Sequence, residues 1–110
     1  MKEITIAFDI DGTILNNEGS LRDNGVNIPI VQLMEILSAK MKNTRIIVWS
    51  GGGKDYAEHI VSKYGLGRYV DRVYGKHEYD AETDGGAVDI AFDDIHEFNL
   101  ADKNIIVRMK

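Results

Sequence analysis

Two aspartates one residue apart stand near the start of the chain, in the pentad Asp9-Ile10-Asp11-Gly12-Thr13. They end an apolar segment typical of a β-strand, and alternate residues leaving a strand can direct two carboxylates into one space. Gly12 permits a sharp turn directly afterwards. Such a pair can hold a divalent cation, or supply a nucleophile and a general acid. A plain Asp-Gly turn that closes a strand is the simpler alternative.

A calcium-binding loop of the EF-hand kind also begins with two aspartates in this spacing. That loop needs a glycine at its sixth position and a bidentate glutamate at its twelfth. Ile14 and Ser20 occupy those positions here, so the sequence excludes this interpretation.

Polar side chains also follow three later apolar segments, each where the segment ends: Ser50 after Arg45–Trp49, Lys76 after Val70–Tyr74, and Asp93 with Asp94 after Ala87–Phe92. In an open parallel sheet the carboxyl ends of the strands meet at one edge, where ligands bind. Carboxylates, a hydroxyl and an ammonium together suit a phosphate and a cation. Taken singly, the serine and the aspartates also suit turns and helix caps, and a lone lysine suits the surface.

The elements that must position these residues follow from hydrophobic periodicity. The patterns predict strands and helices in alternation: strands at Glu3–Phe8, Arg45–Trp49, Val70–Tyr74, Ala87–Phe92 and Asn104–Val107, and helices at Ile30–Met41 and Lys54–Tyr64. Pro29 suits a first helical turn, and Gly65 suits a helix end. The alternation predicts an α/β fold, a three-layer Rossmann-like domain with a parallel five-stranded sheet, over residues 1–110.

The two predicted helices connect strands that run one way across the sheet, so right-handed crossovers place both on one face. On the other face the strands carry small or polar residues, namely Thr5, Ala7, Asp89 and Ala91. Fully buried parallel strands are normally apolar throughout. We therefore predict one thinly covered face, and a homo-oligomer formed through it as a hypothesis.

The composition of the chain limits the kinds of molecule that it is expected to bind. The net charge is −5 without a lysine or arginine cluster, which disfavours nucleic-acid binding. The absence of cysteine excludes disulfides and thiolate zinc sites. No apolar stretch is long enough for a membrane span or a signal segment, so we expect no membrane partner and a cytoplasmic location.

Taken together, the motifs resemble those of the haloacid dehalogenase (HAD) superfamily: DIDGT, VWS, the lysine of YGK, and IAFDD, in that order. The resemblance covers nearly the whole chain. Receiver domains place their lysine after the last strand, and toprim domains place a glutamate first, so the order separates this chain from both.

The resemblance implies a Mg2+-dependent phosphohydrolase that cleaves phosphomonoesters through an aspartyl-phosphate. It makes Asp9 the nucleophile and Asp11 the general acid and base, with Ser50 and Lys76 assisting on the phosphoryl group. The implied metal ligands are Asp9, the backbone carbonyl of Asp11, Asp93 and, directly or through water, Asp94. The implied phosphate contacts are Ile10, Gly12, Ser50, Gly51 and Lys76.

The chain departs from many members of that family in lacking room for a cap domain. Neither Ile14–Ile28 nor Gly75–Gly86 is long enough to form one. A capless site suits a large substrate with an exposed phosphate, or a small phosphorylated substrate enclosed by a neighbouring subunit. The connection from the third to the fourth strand must be largely extended, with at most one turn of helix. Lys76 would then lie on a loop. Lys54 is the alternative candidate for the lysine that assists on the phosphoryl group.

Two other functions stay open at this point. A non-catalytic module that binds phosphate or Mg2+ would not need a nucleophile with an acid two residues on. A nucleic-acid 3′-end phosphatase would suit a capless site, but the charge balance offers no surface for a duplex. The acidic segment 78–84 suits a solvated loop better than substrate recognition.

Overall fold

Strands and helices alternate through residues 3–16, 25–94 and 101–107, which are the residues that the computed structural model describes. The elements are β1 (Ile4–Asp9), α1 (Ile28–Lys40), β2 (Thr44–Ser50), α2 (Lys54–Lys63), β3 (Arg72–Gly75), α3 (Tyr79–Thr83), β4 (Ile90–Asp93) and β5 (Lys103–Ile106). A 3-10 turn at Leu66–Tyr69 joins α2 to β3. No helix in the described ranges is long and apolar enough to cross a membrane.

The five strands form one sheet in the order β3-β2-β1-β4-β5, and every neighbouring pair is parallel. This confirms the predicted α/β fold. The chain moves outward in one direction through β1, β2 and β3, and then returns to the other side of β1 for β4 and β5. The strand order therefore reverses between β1 and β4, which is where open parallel sheets bind ligands.

The larger core lies between α1, α2 and one face of the sheet, as the crossover rule predicted. Its buried strand and helix residues include Ile6, Phe8, Ile46, Val48, Ile30, Met34, Ala57 and Ile60. The rings of Phe8 and Phe92 stack with their centroids 4.8 Å apart, which joins β1 to β4 on this face. Buried aliphatic and aromatic packing on this face supplies much of the hydrophobic stabilisation of the domain.

The opposite face has a smaller core, built on Ala7, Ile47, Trp49 and Ala91. It is covered by α3, whose Tyr79 ring lies edge-on to Trp49 at a centroid distance of 5.2 Å. The cover is thin, but it leaves Ala7 and Ala91 fully buried. Less of this face is therefore open to a second copy than the sequence suggested, and the homo-oligomer stays a prediction.

Several predicted bounds were wrong by a few residues. α1 begins at Ile28, two residues early, with Asn27 at its cap position but without a side-chain cap bond. α3 has five residues, slightly more than the single turn expected between β3 and β4. The connection from β1 to α1 is as short as predicted, and its residues 17–24 lie outside the described ranges.

Two strands begin later than predicted, because at each start an aspartate side chain, rather than a backbone carbonyl, accepts the N–H of the neighbouring strand. β3 starts at Arg72 rather than Val70, and Asp71 before it accepts the N–H of Ile46 at 2.8 Å. β4 starts at Ile90 rather than Ala87, and Asp89 before it accepts the N–H of Thr5 at 2.8 Å. In both cases the aspartate's own N–H donates to the carbonyl of the same partner residue. At the amino end of the sheet, these contacts extend the pairing of β2 with β3 and of β1 with β4.

Candidate active site

A wide turn follows β1 and shapes the site. The N–H of Ile14 donates to the carbonyl of Asp9 at 3.3 Å, and the N–H of Leu15 donates to the carbonyl of Ile10 at 2.9 Å. Each of these N–H groups bonds the carbonyl five residues earlier, as in a π-helical turn, rather than four residues earlier as in an α-helix. Single turns of this type are frequent at functional sites. Gly12 has a φ of 77°, the left-handed conformation that glycine adopts without strain. The turn buries Ile10 and Ile14 and leaves Asp11 partly exposed.

Three carboxylates meet where β1 and β4 end. Asp9 and Asp93 are buried, Asp94 is half-buried, and one carboxylate oxygen from each lies within 4.8 Å of the others. A β-carbon on Gly12 would collide with the carboxylate of Asp94, so a larger residue there would have to displace Asp94 as well as adopt a strained φ. The strand-end rule predicted that Asp9, Asp93 and Asp94 lie at one edge, and their carboxylates meet there; the roles assigned to them stay predictions.

Lys76 supplies the positive charge at this cluster. Its Nζ lies 3.6 Å from Asp9 Oδ1 and is hydrogen-bonded to Asp93 Oδ2. The backbone N–H of Lys76 donates to the carbonyl of Ser50 at 2.8 Å, which extends the pairing of β3 with β2 by one step. That bond holds Lys76 in place although it lies beyond the strand. Lys54, the alternative candidate, is half-exposed and pairs along α2 with Glu58 at 4.0 Å.

The electrostatics of the cluster favour an extra proton. Burial raises the pKa of Asp9 to about 8, and the charges of Asp93 and Asp94 add to this, while Lys76 opposes it. Burial also raises the pKa of Asp94, helped by its hydrogen bond with Asp93. Burial by itself would lower the pKa of Lys76, but Asp9 and Asp93 outweigh that effect and raise it. Lys76 is therefore charged, and the protonation of Asp9 and that of Asp94 depend on each other because the two carboxyl groups interact.

The donor set fits a hard divalent cation. Carboxylate oxygens are the ligands that Mg2+ prefers, and a small ion held by few carboxylates keeps waters on its remaining positions. The cluster also has more negative charge than Lys76 can balance, which a cation would correct. The carboxylate of Asp11 is not a member of this group. Its implied role as a ligand runs through the backbone carbonyl and stays a prediction.

The other predicted phosphate contacts have different local environments. Ser50 is 1% exposed, and its Oγ accepts the N–H of Gly52 at 3.0 Å, which is a turn contact that leaves the hydroxyl proton to be donated. Gly51 is exposed at the rim, where a β-carbon would lie 3.8 Å from His77 Nε2. The carbonyl of Ile10 is used inside the turn, so a phosphate contact from Ile10 would have to come from its N–H.

Sequence reasoning missed Tyr56. Its hydroxyl donates a hydrogen bond of 2.7 Å to Asp11 Oδ1, joining α2 to the turn after β1. The periodicity of α2 places Tyr56 on the core side with Ile60, so it looked like an ordinary packing residue. The available signal was its position: α2 starts directly after β2, so its first residues must lie at the same edge as Asp9 and Asp11.

No protein-family profile, curated protein or solved structure matches this chain. The fold and the cluster define an α/β protein with a lysine-flanked carboxylate site at the switch point of its sheet.

Proposed function

We propose that this chain is a Mg2+-dependent phosphomonoester phosphatase of the HAD type, with Asp9 as a covalent nucleophile. The observation that carries the proposal is the cluster of Asp9, Asp93 and Asp94 within 4.8 Å, with Lys76 Nζ at 3.6 Å from Asp9. Phosphoryl transfer is catalysed by positioning and by positive charge around the transferred group. A nucleophile, cation ligands and an ammonium in one place supply both.

In the first step a carboxylate oxygen of Asp9 forms a bond to phosphorus while the bond to the leaving oxygen breaks. Asp11 gives its proton to that oxygen, so the alcohol leaves neutral. In the second step a water attacks phosphorus and loses a proton to Asp11. The bond between Asp9 and phosphorus breaks, which releases inorganic phosphate and restores both carboxyl groups.

Lys76 has two tasks in this scheme. Its ion pairs hold Asp9 and Asp93 in fixed positions, and its charge offsets that of the phosphoryl oxygens. When bound, Mg2+ would keep the carboxylates deprotonated and balance further negative charge. Asp9 must lose any bound proton before it can attack, because the nucleophile is the carboxylate.

The test is hydrolysis of p-nitrophenyl phosphate with Mg2+ and with EDTA, by the wild type, Asp9→Asn and Asp11→Asn. We expect activity in the wild type that EDTA removes and that Asp9→Asn loses, whereas Asp11→Asn should lower it and keep a measurable residue, because nitrophenolate leaves with little help from an acid. Asp71→Asn is the matched control, because it removes an aspartate charge at the opposite end of the sheet and keeps an acceptor for Ile46. Activity that survives Asp9→Asn would refute the mechanism.

A metal-binding readout separates this function from the non-catalytic module. Trp49 is the single tryptophan and is paired with Asp9 in the register of β1 and β2, so its fluorescence reports on the cluster. Mg2+ should change that fluorescence in the wild type and not in Asp93→Asn. Mg2+ binding without hydrolysis of any substrate in a phosphomonoester panel, including a 3′-phosphorylated oligonucleotide, would identify a binding module instead.

A further inference from the structure

Tyr56 lies outside the carboxylate cluster but contacts the residue assigned to proton transfer. Its hydroxyl is 2.7 Å from Asp11 Oδ1, across 45 residues of sequence. We propose that Tyr56 is a positioning residue, whose hydroxyl bonds Oδ1 of Asp11 and fixes the orientation of the carboxyl group that exchanges the proton with the leaving oxygen and the water. This inference rests on the proposed phosphatase function.

The tyrosine ring has a defined environment. It packs against the larger core between the helices and the sheet. It also lies close to Gly52, where a β-carbon would be 3.2 Å from Tyr56 Cδ2 and 3.3 Å from Ser50 Oγ. The N–H of Gly52 is bonded to Ser50 Oγ. Tyr56 therefore connects the larger core and the start of α2 to Asp11.

The contact suits both protonation states that the mechanism requires of Asp11. A carboxylate accepts hydrogen bonds on both oxygens, and a carboxylic acid still accepts on the oxygen without the proton. The Tyr56 hydroxyl can thus stay bonded to the Asp11 carboxyl group in both of its protonation states. Because proton transfer depends on the orientation of the acid toward the reacting atom, fixing the carboxyl plane raises the rate without a contact to substrate.

Tyr56→Phe tests this by removing the hydroxyl and keeping the ring. The quantity to compare is kcat/KM, which reports the transfer to Asp9, for two substrates with different leaving oxygens. An alkyl phosphomonoester such as glycerol phosphate needs the proton, so its kcat/KM should fall roughly 10- to 100-fold. p-Nitrophenyl phosphate needs it little, and its kcat/KM should fall less than about threefold. Tyr74→Phe is the matched control, since Tyr74 loses a hydroxyl bonded to Arg45 at 3.1 Å, and neither substrate should be affected.

Two further measurements distinguish positioning from a general structural effect. In an Asp11→Asn background Tyr56→Phe should cause no additional loss, because its effect passes through Asp11. The Mg2+ response of Trp49 fluorescence should be unchanged by Tyr56→Phe.

Equal losses on the two substrates, an additive loss in the Asp11→Asn background, or weakened Mg2+ binding would each overturn the role of Tyr56 and leave the phosphatase intact. A wild type that hydrolyses neither substrate would overturn both proposals.

Discussion

Aspartates stand at both ends of the sheet, and their surroundings differ. At the amino end, Asp71 and Asp89 each accept a backbone N–H from a neighbouring strand at 2.8 Å. Each also returns its own N–H to the same partner, so the carboxylate completes the pairing of the sheet. These carboxylates are therefore hydrogen-bonded to the backbone of the sheet.

At the carboxyl end the aspartates face one another. Asp9, Asp93 and Asp94 lie together, the ammonium of Lys76 pairs with the first two, and burial raises the pKa of Asp9 and of Asp94. Charges that the fold leaves unbalanced destabilise the protein, and they persist where a ligand compensates for them. The difference between the two ends therefore separates aspartates that complete the fold from aspartates arranged for chemistry.

The largest expected effect comes from removing the ammonium at the carboxyl end. Lys76→Met should lower kcat for p-nitrophenyl phosphate by about 10^2- to 10^3-fold at saturating Mg2+, because a charge that stabilises the transferring group is lost. Lys54→Met removes a lysine that pairs only along its own helix in the described contacts, and should leave kcat unchanged. Equal losses in the two variants would mean that Lys76 acts only through overall charge.

The second-largest effect is expected from substitution of Gly12, which lies next to Asp94 of the carboxylate cluster. Gly12→Ala combines a strained φ with a collision against Asp94, so we expect a loss of roughly 2–4 kcal/mol in the free energy of unfolding and loss of Mg2+ binding. Gly65→Ala has a similar φ of 65° and nothing within 4 Å, so it should lose only about 1 kcal/mol. Urea denaturation compares the two variants. Similar losses would show that Asp94 moves aside freely.

The comparison also explains what the sequence could predict. The strand-end positions of Asp9, Lys76 and Asp93 follow from chain order, because parallel strands bring all their carboxyl ends to one edge. Hydrophobic periodicity likewise located every strand and both long helices to within a few residues. These features depend on local pattern and on the handedness of crossovers, which the sequence carries.

Contacts between distant side chains could not be predicted in this way. Asp71 and Asp89 looked like ordinary strand or turn residues, and only the register of their neighbours shows that they accept strand amides. Tyr56 looked like a core residue, since its spacing defines a helix face and not the target of its hydroxyl. The homo-oligomer and the phosphatase activity are properties of the protein in solution, and both stay predictions.

Substituting an aspartate should raise the free energy of unfolding at the carboxyl end of the sheet and lower it at the amino end. Without a cation, the unfolded chain loses the Asp9 proton near the usual value of 3.8, while the folded protein keeps it until about pH 8. Between these values the folded state binds more protons, so the free energy of unfolding should fall as pH rises from 4 to 8. Asn does not ionise, so Asp9→Asn should lack this fall and be more stable at pH 8 by roughly 1–3 kcal/mol.

Asp71→Ala is the counterpart at the amino end. It removes the acceptor of the Ile46 N–H and should destabilise the protein by about 1 kcal/mol. Urea denaturation of both variants at pH 5 and pH 8 in EDTA compares the signs. If Asp9→Asn were less stable than the wild type at pH 8, the carboxylate of Asp9 would not lower the free energy of unfolding, and this interpretation of the carboxyl end would be wrong.

The smallest expected effect is the pH dependence of Mg2+ stabilisation. A cation that binds the cluster must displace the proton that burial favours on Asp9, so the apparent affinity for Mg2+ should rise toward pH 8, by up to about tenfold per pH unit where one proton is released. Saturating Mg2+ should raise Tm by about 3–6 °C at pH 8 and by less at pH 6. Asp93→Asn should lose the effect, while Asp71→Asn should keep it because its carboxylate lies at the other end of the sheet. An equal rise at both pH values would mean that the proton is not held at the cluster, because only a proton displaced by the cation makes the two conditions differ.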